Sequence, residues 1–124
     1  MAMGFIAREW SRLRNRSIWS FNGWRNVWHN EPSLKQWILA NLISTSLAIY
    51  LPLSAAETAL LIMGGILVLA AECMNTAIER AVDDIGLNRR ELAKQAKDAG
   101  SAAVAVTALS VGAAWATILI MNFG

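Results

Sequence analysis

A long apolar run that ends in a row of acids limits this chain's fold more than any other feature. Between Ala55 and Ala71 the one carboxylate is Glu57, in the first turn. The sequence continues without a turn signal into Glu72-Cys73-Met74-Asn75-Thr76-Ala77-Ile78-Glu79-Arg80-Ala81-Val82-Asp83-Asp84, so one helix carries both parts. Glu72, Asn75, Glu79 and Asp83 fall within roughly 80° of one helical face. They extend over about 16 Å of axis. A hydrophobic helix therefore reaches the edge of a bilayer and there presents three carboxylates and an amide. Ionisable groups at that depth are costly, so a functional role and a nearby cation are the expected reading. Beyond the membrane, Asp84 reads as part of a solvated helical end.

At 124 residues, 56% hydrophobic and 16% charged, the chain is too apolar for an ordinary soluble domain and long enough for a few spans. Six basic residues (Arg8, Arg12, Arg14, Arg16, Arg25, Lys35) precede the first apolar run. The other five (Arg80, Arg89, Arg90, Lys94, Lys97) lie between the second and third. This is the positive-inside pattern, with both basic segments cytoplasmic and the C-terminus outside. Nucleic-acid binding would not need the apolar runs and is set aside. The single Cys73 excludes an internal disulfide. The charged, aromatic N-terminus does not read as a signal peptide.

The expected architecture is all-α, one membrane domain over 1–124, with a surface helix at 4–29 and helices at 32–51, 55–85 and 89–122 holding three spans. In the surface helix, Ile6, Trp10, Leu13, Phe21, Trp24 and Trp28 recur on one stripe. Arg8, Arg12, Arg16 and Arg25 lie off it, as suits a helix in the headgroup region. His29 reads as an interfacial residue, and Gly23 could allow a bend. Pro32 opens the next helix, capped by Asn30 or Glu31. Asn41 is expected to make an interhelical hydrogen bond. Ser54 and Glu57 form a capping box, Gly64-Gly65 marks close helix packing, Gly86 is a stop signal, and Asn88 is the expected cap of the last helix. The span within that helix, from Ala99 to Met121, has no formal charge and many small residues. Three spans cannot bury so much small-residue surface, so a homo-oligomer is expected.

The acidic row faces Lys97 and Asp98 across a short turn, with Glu31 at the mouth of the first span. Carboxylates with an amide are hard oxygen ligands that suit Mg²⁺ bridging phosphates. Lysine and arginine complement phosphate oxygens, and a further carboxylate can act as general base. These are the minimum parts for phosphoryl transfer. The sequence has no GxxxxGK[ST], GxGxxG or HRD-type loop, which excludes the soluble nucleotide-binding solutions. A small transporter using Glu72 as a proton or cation site is the reading from another class. Against it, the ionisable groups gather at one edge rather than the midplane.

Glu72-x-x-Asn75-Thr76-Ala77-Ile78-Glu79-x-x-Val82-Asp83, followed by Ala96-Lys97-Asp98-x-Gly100-Ser101-Ala102-Ala103-Val104, resembles the prokaryotic diacylglycerol kinase/undecaprenol kinase family over essentially the whole chain. The resemblance implies a homotrimer with active sites shared between subunits at the inner bacterial membrane, where MgATP phosphorylates a lipid hydroxyl. It implies Glu72 as catalytic base and Glu31 and Glu79 as Mg²⁺ ligands. Asn75, Lys97 and Asp98 would position ATP, and Arg12 would lie where nucleotide and lipid meet. Trp19, where a Tyr is common, would join the nucleotide side with Asp83 and the turn Asn88-Arg89-Arg90. Ser17, Ser20, Arg25, Gln36, Ser101 and Trp115 would border the lipid. The Lys97-Asp98-Ala99-Gly100-Ser101 form is similar to the branch acting on diacylglycerol, with undecaprenol the alternative acceptor.

Overall fold

The computed structural model describes residues 2–124, and the regular elements among them are four α-helices. These are α1 (Ala2–Asn30), α2 (Pro32–Tyr50), α3 (Ala55–Ile85) and α4 (Glu91–Phe123). They divide into two compact units, Met1–Pro32 and Ser33–Gly124.

In the first unit α1 runs as one helix through Gly23. Ile6, Trp10, Leu13, Phe21, Trp24 and Trp28 are all exposed, which leaves the apolar stripe uncovered by the chain itself. Asn30 is the last residue of α1, and its amide donates back to the Asn26 carbonyl at 2.8 Å. Glu31 stands between the two helices, its N–H donating to the Val27 carbonyl at 2.8 Å. Pro32 still occupies the first position of α2, where its missing N–H costs nothing.

In the second unit, side-chain contacts fix the register of α2, α3 and α4. α2 runs antiparallel to α3, with Ser33 meeting Glu72, Asn41 meeting Gly65 and Ala48 meeting Thr58. α3 runs antiparallel to α4, with Asp83 meeting Lys97, Gly64 near Val111 and Glu57 meeting Asn122. Trp115 of α4 donates its indole N–H to Ser44 of α2 at 2.8 Å, which completes the three-helix arrangement. Ala48, Leu61 and Ile118 form a buried cluster from all three helices, flanked by Leu53, Ala114 and Trp115.

Both glycines of Gly64-Gly65 lie at close approaches. A Cβ on Gly64 would stand 2.9 Å from Val111 Cγ2, and one on Gly65 would overlap the Asn41 amide. That amide donates to the Gly65 carbonyl at 2.9 Å, the interhelical bond expected of Asn41. The capping box is present: the Glu57 N–H donates to Ser54 Oγ at 3.3 Å, and the Ser54 N–H donates to Glu57 Oε2 at 2.8 Å.

Among the described residues, α3 and α4 are long and apolar enough to cross a membrane. With 31 residues, α3 is about 46 Å long at 1.5 Å per residue. That exceeds a hydrocarbon core of about 30 Å and leaves several turns to project beyond it. α2, with 19 residues, is diluted by Lys35, Gln36, Asn41, Ser44, Thr45 and Ser46. It does not reach the same apolar standard.

Gly65→Ala should force the Asn41 amide off its carbonyl and lower the thermal midpoint in detergent, a cost on the order of 1–3 kcal/mol. Gly23→Ala, whose Cβ meets nothing, should leave it unchanged or raised. Equal midpoints for the two variants would contradict this packing.

Candidate functional site

The acidic face of α3 is buried at one end and open at the other. Glu72 is 5% exposed and Thr76, one turn on, is 3% exposed. A buried carboxyl needs a hydrogen-bond partner, and Ser33 of α2 supplies one by donating its hydroxyl to Glu72 Oε1. Lysine enters at the other end of the row, where Lys97 Nζ lies 2.6 Å from Asp83 Oδ1.

Between these ends, Asn75 Nδ2 donates to Glu79 Oε1 at 3.2 Å. Gly100 of α4 makes this arrangement possible, because a Cβ there would lie 2.5 Å from Asn75 Oδ1. Asn75 Oδ1 is buried with no hydrogen-bond partner in the structure. Glu72 and Glu79 are separated by two turns, about 10 Å of axis. Among the described residues no three His, Cys, Asp or Glu side chains converge on one cation position. The donor set still fits Mg²⁺, which keeps waters and phosphate oxygens and takes one or two protein carboxylates. Glu79 could supply such a carboxylate, with the amide of Asn75 as its neighbour.

Asp98 turns away from the row. Lys94 Nζ lies 2.5 Å from its Oδ2, one turn apart on α4. Lys97 and Asp98 thus leave α4 toward different partners. Both line a polar hollow of ≈ 320 Å³ bordered also by Asp83, Asn88, Arg89, Arg90 and Lys94, which gathers much of the expected nucleotide set.

In the turn, Arg90 departs most from expectation. Its guanidinium donates to the carbonyls of Val82 and Gly86, each at 3.1 Å, so it caps the C-terminus of α3, where cations are favoured. Its Nε is buried without a hydrogen-bond partner. Gly86 does end α3, but with φ 161° and ψ 143°, extended rather than left-handed. Asn88 is not the cap of α4; Arg90 holds that position without a side-chain cap bond, and α4 starts at Glu91.

On the expected lipid side, Ser101 is exposed one residue past Gly100, and Gln36 is exposed near the start of α2. Trp115 borders an apolar hollow of ≈ 510 Å³ with Ala40, Ile43, Leu47, Leu51 and Leu119. In the first unit, Arg12 pairs with Glu9 at 2.6 Å, and Trp19 and Ser20 are exposed. Ser17 donates to the Leu13 carbonyl at 3.0 Å. Arg25 lines a small hollow with Asn22, Asn26, His29 and Asn30. Glu31 is half-buried. Ser33 carried no signal in the sequence, since a serine beside a helix-opening proline is commonplace.

The sequence model of the family described as prokaryotic diacylglycerol kinase matches residues 18–119. The diacylglycerol kinase of Pseudomonas aeruginosa is 38% identical over 109 residues, covering 88% of this chain and 89% of the relative. That of Escherichia coli K12 is 36% identical over 114 residues, covering 92% and 93%. That of Haemophilus influenzae is 35% identical over 109 residues, covering 88% and 92%.

Gly100→Ala should push the Asn75 amide off Glu79. The side-chain amide resonance of Asn75 in micelles should then move, while Gly64→Ala, a clash of similar size elsewhere, leaves it in place. An unmoved Asn75 resonance in Gly100→Ala would refute this role for the glycine.

Proposed function

The chain belongs to the prokaryotic diacylglycerol kinase family, and we propose that it is a membrane lipid kinase moving the terminal phosphoryl group of ATP onto the free hydroxyl of diacylglycerol. The products are phosphatidate and ADP. The observation that carries the mechanism is the buried Glu72 carboxyl, held by Ser33, with Asn75 about one turn and Glu79 two turns along the same helix.

Glu72 accepts the proton of the lipid hydroxyl as that oxygen attacks the terminal phosphorus and the bond to ADP breaks. Its low exposure favours a lipid alcohol over bulk water as the attacking group. Glu79 and Glu31 would hold Mg²⁺, and Asn75 would position the nucleotide beside it. When bound, that ion offsets charge on the phosphate oxygens in a transfer that depends mostly on positioning and electrostatics. Lys97, 38% exposed beside Asp83, has room to exchange that partner for a phosphate oxygen. Asp98 and Lys94 border the same hollow, where the nucleotide base and sugar would lie beside Asn88 and Arg89. Arg90 holds the wall of that hollow through the end of α3. Arg12 and Trp19 approach the nucleotide from α1, while Ser17, Ser20, Arg25, Gln36, Ser101 and Trp115 border the lipid.

α2, though shorter at 19 residues, keeps an antiparallel register with α3 from Ser33 to Ala48, which supports three crossings, with α2 shielded from lipid on its polar side by its neighbours. The α1 stripe then lies in the inner headgroup layer, the N-terminus is cytoplasmic and the C-terminus periplasmic. Much of α4 is exposed, including Ala102, Ala103, Ala105, Gly112 and Ala113. Small residues on an apolar helix suit helix-to-helix contact, and a homotrimer with shared sites would cover them.

Purified protein in mixed micelles with Mg²⁺ and labelled ATP should label diacylglycerol in preference to undecaprenol. Glu72→Gln should reduce turnover by roughly 10²- to 10⁴-fold while nucleotide still binds. Full turnover by Glu72→Gln would remove the base assignment. Glu79→Gln should weaken Mn²⁺ binding followed by paramagnetic resonance; unchanged binding would remove Glu79 from the metal site.

A further inference from the structure

We infer that Ser33 is a positioning residue for the reaction, fixing Glu72 so that its second carboxyl oxygen meets the acceptor hydroxyl. The inference rests on Glu72 as the base. Glutamate reaches its carboxyl through three rotatable bonds, and immobilising so long a side chain costs on the order of 1.5–2 kcal/mol of rotamer freedom. Burial narrows the choice of rotamer without selecting the orientation of the carboxyl plane. A single hydrogen bond to Oε1 does select it, and Ser33 makes that bond. A hydroxyl donates one proton, so Oε2 keeps its acceptor sites.

Ser33 is itself rigidly placed. Pro32 fixes the backbone on one side, and Leu34, fully buried at 0% exposure, anchors the other. The donor belongs to a different helix from the base, so it reports the α2–α3 separation directly to the reacting group. A small shift between reacting groups is enough to cost large factors in rate.

The test is Ser33→Ala in the intact protein. Alanine is the better helix former, so the fold should be retained. With diacylglycerol as acceptor, kcat should fall about tenfold, the effect of one hydrogen bond to a carboxylate carried onto the barrier. The KM for MgATP should stay within about twofold, and the thermal midpoint should fall only by the few degrees that one lost hydrogen bond to a buried carboxyl costs. In a Glu72→Asp background, whose shortened carboxyl is already beyond Ser33, adding Ser33→Ala should change nothing further. Wild-type kcat in Ser33→Ala overturns the inference. So does a loss of kcat matched by an equal rise in the KM for MgATP, or a further loss in the Glu72→Asp background. Failure of the base assignment shows differently, as an unimpaired Glu72→Gln enzyme.

Discussion

The second unit depends on helices approaching more closely than ordinary side chains permit. α3 contacts α2 at Gly65 and α4 at Gly64 and Gly100. Each contact sets an amide or an apolar group directly against helix backbone. Within a bilayer, apolar side chains gain little from leaving lipid for one another, so close van der Waals contact and interhelical hydrogen bonds must hold the helices together. The three contacts also fix how far apart the polar groups stand. Asn75 reaches Glu79 across a space that only glycine at position 100 leaves free, and Ser33 reaches Glu72 because α2 is pinned at Asn41. The polar chemistry is thus a consequence of the packing.

Much of this was legible in the sequence because it rests on local rules. The capping box at Ser54 and Glu57, the close approach at Gly64-Gly65 and the bond from Asn41 each follow from residue type and neighbourhood. Helical periodicity alone placed Glu72, Asn75, Glu79 and Asp83 on one face. What sequence could not give was how neighbouring helices answer that face. Glu72 is met by a hydroxyl of α2, while the lysine of α4 meets Asp83 nearer the open end of the row. Asp98 is next to Lys97 in sequence, yet it faces Lys94, since consecutive helical residues point about 100° apart. Asn88 looked like a cap, but α4 starts two residues later than expected because Arg90 is drawn onto α3.

The two units also differ in what they leave uncovered. α1 exposes an aromatic and aliphatic stripe, and α4 exposes small residues. The first composition suits a headgroup layer, where tryptophan finds both apolar and polar neighbours. The second suits another helix. One chain therefore carries two exposed surfaces of different composition, and each is recognisable from side-chain size.

The end of α3 has a consequence for how freely the loop beyond it can vary. Gly86 adopts extended backbone and a Cβ there would meet nothing, so stereochemistry does not reserve the position for glycine. The termination signal has moved from the backbone to the guanidinium of Arg90, which binds the last carbonyls from the start of the next helix. Sequence drift at position 86 is therefore cheap, whereas position 90 ties the inner ends of both long helices and is the less replaceable of the two.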